Sequence, residues 1–297
     1  MSASCGLYCM TKRLFLATPT GFCGGVRHAV AMFHELAAKH PGERIYVLHE
    51  LVHNRLVTEE MRNAGAIFVE DVEEIPEGSL TLLGAHGCGE SVERRCRERH
   101  LCVFDATCPL VTQLQKRAAA SDPAVPIVFL GDRDHPEVRG ITDRLGGHVI
   151  YLVGTEEEAQ ALPLLSSAIF FSQTTRCITE IQRIRDILKE RVAKLEDHAH
   201  VCDAVQMRQN AMASLAGECQ VVYVIGSPHS SNARRLAEIA QENGCADTRF
   251  AENAEAIHPG ELSGVERVGL GTATSTPDDV IEAVLAKFAE MGFQQAK

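Results

Sequence analysis

The chain has 297 residues, 11 of them cysteine, a net charge of −11, and 45% hydrophobic against 23% charged residues. Its length suggests about two domains, and its apolar content suits a globular α/β or all-α protein rather than a disordered one. The acidic balance argues against a nucleic-acid binder, and runs such as Val221 to Ile225 fall far short of the ~20 apolar residues of a membrane span.

The first extended run, Arg13 to Ala17, leads to Cys23, after which Val26, Ala29, Val30, Phe33, Leu36 and Ala37 recur at helical spacing. A strand at Ile45 to Leu48 ends in His49-Glu50-Leu51-Val52-His53-Asn54, a helix capped by Gly65 follows, and a further strand runs into Gly84-Ala85-His86-Gly87. The cycle restarts with Leu101 to Asp105, then Cys108 and a helix bearing Val111, Leu114 and Ala118. Its strand Ile127 to Leu130 ends in Asp132-Arg133-Asp134-His135-Pro136-Glu137, its helix closes at Gly146, and its last strand ends in Ser172-Gln173-Thr174-Thr175. A third cycle runs from His200-Val201 through Cys202, Val205, Met212 and Leu215 to Val221–Ile225, then Ser227-Pro228-His229-Ser230-Ser231-Asn232, Gly244 and finally Thr274-Ser275-Thr276.

This rhythm predicts an α/β fold of three similar units with parallel sheets, which a pseudo-threefold arrangement would gather around one central site. The expected units are 25–107, 108–199, and 12–24 combined with 200–290. Ligands gather beyond the carboxyl ends of parallel strands. The three cysteines and the polar clusters all fall there, so a threefold arrangement points them at one cavity.

The N-terminus, Met1 to Arg13, lacks the apolar stretch of a secretory signal, which places the chain in the cytoplasm by default. Disulfides are rare there, so an odd cysteine count reads as free thiols plus a metal site. Cys88, Cys96, Cys102, Cys177, Cys219 and Cys245 read as buried filler, and Cys5 and Cys9 as exposed tail. Cys23, Cys108 and Cys202 differ, because each stands at a strand-to-helix junction where the helix N-terminus favours a thiolate. Three such thiolates would bind a soft metal centre. Structural zinc prefers four ligands with a close pair, which these three do not form, whereas a 4Fe-4S cluster tolerates distant ligands and, with three, keeps one iron open as a Lewis acid.

His53, Asn54, His86, His135, Thr174, Thr175, Ser230, Ser231, Asn232 and Ser275 supply many hydrogen-bond donors, a set suited to a phosphate or diphosphate. Glu137 reads in two ways: as a proton donor whose pKa rises in a water-poor cavity, or as a first-turn acid favoured by the helix dipole.

Gly21-Phe22-Cys23-Gly24-Gly25-Val26, Val52-His53-Asn54-Arg55, Ala85-His86-Gly87, Asp105-Ala106-Thr107-Cys108-Pro109, His135-Pro136-Glu137-Val138, Ser172-Gln173-Thr174-Thr175 and Ser230-Ser231-Asn232 together resemble the 4-hydroxy-3-methylbut-2-enyl diphosphate reductases. The likeness runs in order from about residue 12 to residue 290. It implies that the three units form a pseudo-threefold trefoil around a central cluster site, with one 4Fe-4S cluster per chain on Cys23, Cys108 and Cys202, and an allylic diphosphate held by His53, His86, His135, Ser230, Ser231, Asn232 and Ser275. It further implies that Glu137, Thr174 and His135 handle the hydroxyl and the proton, with ferredoxin or flavodoxin as electron donor. The products would be isopentenyl and dimethylallyl diphosphate.

Val205 stands where the family commonly has Thr, His229 where it often has Asn, and Cys88 where it is often apolar. Val205 lacks a donor, which keeps open a paralogous iron–sulfur redox sensor without turnover.

Overall fold

The computed structural model describes residues 12–296, so Cys5 and Cys9 lie outside the described residues. The described residues gather into two compact bodies, one of residues 22–206 and one of residues 12–21 together with 207–296.

In chain order the elements are β1 (Lys12–Leu16), α1 (Gly24–Lys39), β2 (Ile45–Leu48), α2 (Arg55–Asn63), β3 (Ala66–Val69), β4 (Leu80–Leu83), α3 (Glu90–Glu98) and β5 (Cys102–Asp105). Next come α4 (Pro109–Ala119), β6 (Ile127–Leu130), α5 (Pro136–Arg144), β7 (Ile150–Val153), α6 (Glu156–Gln160), β8 (Ala168–Ser172), α7 (Ile178–Arg191) and β9 (Leu195–Asp197). The last stretch holds α8 (Asp203–Ala216), β10 (Val221–Ile225), α9 (Ser231–Glu242), β11 (Thr248–Ala251), β12 (Arg267–Thr272), α10 (Asp278–Glu290) and β13 (Phe293–Gln295).

The fold is α/β with three sheets, ordered β3-β2-β4-β5, β7-β6-β8-β9 and β11-β10-β12-β1-β13. Every strand pair within them is parallel. The body of residues 22–206 contains the first two sheets. In the third, β1 holds the position beside β12 that β5 and β9 hold beside β4 and β8.

Parallel sheets covered by helices bury both faces, and the central strands are accordingly continuous apolar runs. Along β2, Ile45 and Val47 join Phe33, Leu36 and Met61, while Tyr46 and Leu48 join Val72, Ile75 and Cys96. Along β6, Val128 and Leu130 pack with Phe170, Ile184 and Leu188, while Ile127 and Phe129 pack with Ile141, Leu145 and Phe171. In the other body Val221, Tyr223 and Ile225 pack with Leu270, Val284 and Phe288. Among the described residues no helix is long and apolar enough to cross a membrane.

Three local expectations need correction. His200-Val201 is not a strand: β9 ends at Asp197, and the His200 amide donates at 3.0 Å to the side-chain hydroxyl of Ser172, at the end of β8, instead of to a backbone carbonyl. Gly146 follows the C-cap Leu145 of α5, but the glycine in the left-handed region is the next one, Gly147. Cys102 is exposed rather than buried and Cys88 only half-buried, since β5 is an edge strand with little cover. Cys96, Cys177, Cys219 and Cys245 are buried.

Candidate functional site

Cys23 and Cys108 are the N-cap residues of α1 and α4, and Cys202 immediately precedes α8. The backbone amides of Leu110 and Val111 act on the Cys108 thiol, and those of Ala204 and Val205 on the Cys202 thiol. Burial pushes both thiols up, those amides draw them down, and each also feels charge on Cys23. The three thiols therefore share one electrostatic neighbourhood. α1 approaches it so closely that a Cβ at Gly25 would stand 2.7 Å from the Cys108 sulfur. Three half-buried free thiols at helix N-termini form a soft donor set that fits an iron–sulfur cluster.

The loops after β2, β4 and β6 bring three imidazoles together. His53 stacks on His86 with ring centroids 4.5 Å apart, and His135 meets both edge-on at 5.4 and 5.2 Å. Their nearest ring nitrogens lie within 4.8 Å of one another, close enough to raise the question of a metal ion. The hydrogen bonds favour an anion instead. His135 caps α5 by accepting the Glu137 amide on Nδ1 at 3.2 Å, so the neutral ring carries its proton on Nε2 and can only donate from there. His86 is held well below the usual histidine value, by burial first and then by His53 and His135 beside it, and offers a single N–H donor. His53 has its Nδ1 3.0 Å from the Glu50 carboxylate. Outside this triad a cavity of about 570 Å³ opens, lined by Glu50, His53, Cys88, Arg139 and Asp143 among others.

Glu137, in the first turn of α5, is 1% exposed. One carboxylate oxygen accepts the Thr174 amide and the other the Thr174 hydroxyl, both at 2.8 Å. Burial raises its pKa to about 7 against the lowering effect of those two donors. The carboxylate charge reaches Cys108, and the Thr174 carbonyl accepts the Cys202 amide at 3.0 Å. Glu137 is thus within electrostatic reach of the Cys108 thiol, and Thr174 is tied to the Cys202 backbone. The histidine cluster connects to Glu137 through His135.

Ser230, Ser231, Asn232 and Ser275 belong to the other body, where they follow β10 and β12 and are all buried. Ser230 caps α9, its hydroxyl accepting the Ala233 amide at 3.4 Å. The amide group of Asn232 is 3% exposed, yet neither its oxygen nor its nitrogen has a hydrogen-bond partner. Its Nδ2 is a donor that an anion at this helix N-terminus would satisfy.

Val205 lies in the apolar cluster with Val201, Phe170 and Leu188, and its backbone N–H donates to the Cys202 carbonyl at 2.9 Å, a bond that needs no side-chain hydroxyl. Sequence reasoning missed Glu50, although its position three residues before His53 was a usable signal. It also missed Asp132 and Arg176, whose pairing crosses between loops and leaves no trace in local spacing.

The family described as LytB protein matches residues 14–289. A 4-hydroxy-3-methylbut-2-enyl diphosphate reductase of Psychrobacter arcticus is 36% identical over 288 residues, covering 94% of this chain and 90% of its own. The same enzyme of Chromobacterium violaceum is 38% identical over 281 residues, covering 93% and 89%. Among solved structures, the E-1-hydroxy-2-methyl-but-2-enyl-4-diphosphate reductase of Plasmodium falciparum superposes with a TM-score of 0.89 at 26% identity, covering 96% of this chain and 91% of its own. A second, titled as the terminal enzyme of the non-mevalonate pathway, gives 0.65 at 30% identity, covering 94% and 99%. With the three-thiol set, the histidine cluster and these likenesses spanning nearly its whole length, the chain belongs to the LytB family of iron–sulfur oxidoreductases.

Proposed function

We propose that this chain, as a reductase of the non-mevalonate route to isoprenoids, removes the allylic hydroxyl of (E)-4-hydroxy-3-methylbut-2-enyl diphosphate. The C–O bond breaks, two electrons and two protons are consumed, and water leaves with isopentenyl or dimethylallyl diphosphate as the other product. The observation that carries this reading is the buried Glu137 carboxyl, held by both Thr174 donors and within electrostatic reach of the Cys108 thiol, with Thr174 tied to the Cys202 backbone.

Cys23, Cys108 and Cys202 would hold the cluster, a 4Fe-4S centre that supplies single electrons and a Lewis acid for the hydroxyl. Glu137, titrating near neutrality, keeps a proton available for the departing oxygen, and the Thr174 hydroxyl sets the orientation of the carboxyl. His53, His86 and His135 donate to the diphosphate, with Ser230, Ser231, Asn232 and Ser275 as its further ligands. A ferredoxin or flavodoxin delivers the electrons, and the setting is cytoplasmic. The three α/β units are taken as 12–24 with 200–290, 25–107 and 108–199.

The test is anaerobic turnover: protein purified without oxygen, assayed for iron and sulfide, reduced, and given the allylic diphosphate. Five-carbon diphosphate products are expected. A cluster-loaded, reducible protein that makes none would instead favour the redox-sensor alternative.

A further inference from the structure

Arg176, two residues beyond Thr174, is 1% exposed and ranks among the largest fully buried side chains of the described residues. One terminal nitrogen donates to the Asp132 carboxylate at 2.6 Å, and the other donates to the Gly154 carbonyl at 2.9 Å and pairs with Glu180. Burying a guanidinium is costly even when it is well paired, and apolar side chains of similar volume often serve stability as well or better. Its placement therefore calls for a reason beyond packing.

The reason lies in what Asp132 holds. Its carbonyl accepts the His135 amide at 3.0 Å, closing the turn that makes His135 the cap of α5 and brings Glu137 into the first turn. The Asp132 amide in turn donates to the side chain of Gln173 at 2.9 Å, and Gln173 donates to the Thr175 hydroxyl at 2.9 Å. The loop after β6 carries the acid and the loop after β8 carries Thr174. They are joined on one side by Gln173 and on the other by Arg176.

We propose that Arg176 is a positioning residue for the acid: its planar fork locks the Asp132 turn against the Thr174 loop and so fixes the Glu137–Thr174 contact. This rests on the role of Glu137 proposed above. A lysine cannot do the same, because a single ammonium on a flexible stem does not reproduce the fork that spans Asp132, Gly154 and Glu180. The titratable groups facing Glu137 are His135 at its own helix cap and Cys108 at the head of α4.

The experiment compares Arg176→Lys and Asp132→Asn with the wild-type chain; the second keeps the shape of the turn and weakens one arm of the fork by removing its negative charge. Expected are a kcat about tenfold lower with KM little changed, and a Glu137 carboxyl that titrates at higher pH in the carbon-13-labelled apoprotein, because the Thr174 donors that hold it down are withdrawn. Unaltered kcat and titration in both variants overturn the proposal. So does reduced thermal stability with the Glu137 titration unmoved, which would leave Arg176 a purely structural residue. The apoprotein titration does not depend on catalysis, so it still tests the positioning even if Glu137→Gln proves that the acid lies elsewhere.

Discussion

Thr174 presents two donors to one carboxyl group: its amide and its hydroxyl meet opposite oxygens of Glu137, each at 2.8 Å. Both donors stabilise the charged form, yet burial outweighs them and leaves the acid near neutrality. A small environmental change thus suffices to move its protonation state within the working pH range.

Glu137→Gln is isosteric and keeps the thiols untouched, so iron and sulfide per chain should match wild type while turnover falls about a hundredfold or more. In the wild type, activity limited by the protonated acid should decline as pH rises through about 7. An E137Q enzyme with normal turnover would remove Glu137 from the mechanism.

The same residue should leave a mark on folding. Its folded pKa of about 7 lies above the ordinary 4.5, so between these values the folded state holds a proton that the unfolded chain has released. That contribution is fully present below 4.5, falls progressively as pH climbs, and is lost by the time pH has risen through about 7, amounting to roughly 3 kcal/mol. Urea unfolding of the apoprotein at several pH values checks it: as pH rises across this window, wild type should lose stability relative to Glu137→Gln, and parallel pH dependence in the two would count against it.

Gly25→Ala introduces a methyl group into the space of the Cys108 sulfur. We expect incomplete cluster loading, measured as iron and sulfide per chain, with the apoprotein still folded by circular dichroism. Cys108→Ser should lower loading further, because a hydroxyl is a poor substitute for a thiolate toward iron. Full loading in C108S would discard the three-cysteine ligand set.

For Asn232→Ala the expected pattern is the reverse of an ordinary buried polar deletion. The amide has no partner to lose, so thermal stability should change by less than about 1 kcal/mol. Affinity for the diphosphate should nevertheless fall, with KM up about tenfold, roughly one charge-assisted hydrogen bond. A marked stability loss at constant KM would assign Asn232 to the core.

The strands with both faces covered were legible in the sequence to the residue, since Ile45–Leu48, Ile127–Leu130 and Val221–Ile225 are continuous apolar runs that no other element explains. The edges were less so. Cys102 sits on a strand with one open side, and His200-Val201 is extended without a ladder, so local composition misreads both. The site shows the same division. Residues placed by a strand end and a helix start, such as Cys23, Cys108 and His135, declare themselves through spacing. Partners that meet only after folding, such as Glu50 on His53 or Arg176 on Asp132, depend on loop paths that spacing does not encode.

β1 pairs with β12 in the register Arg13 opposite Arg267, between the first and last parts of the described chain. A ribosome therefore releases Leu14, Phe15 and Leu16 long before their hydrogen-bonding neighbour exists, and this strand must wait unpaired while residues 22–206 are made. A nascent chain stopped short of Arg267 would carry an exposed apolar strand edge, making late truncations of this protein prone to aggregate rather than merely inactive.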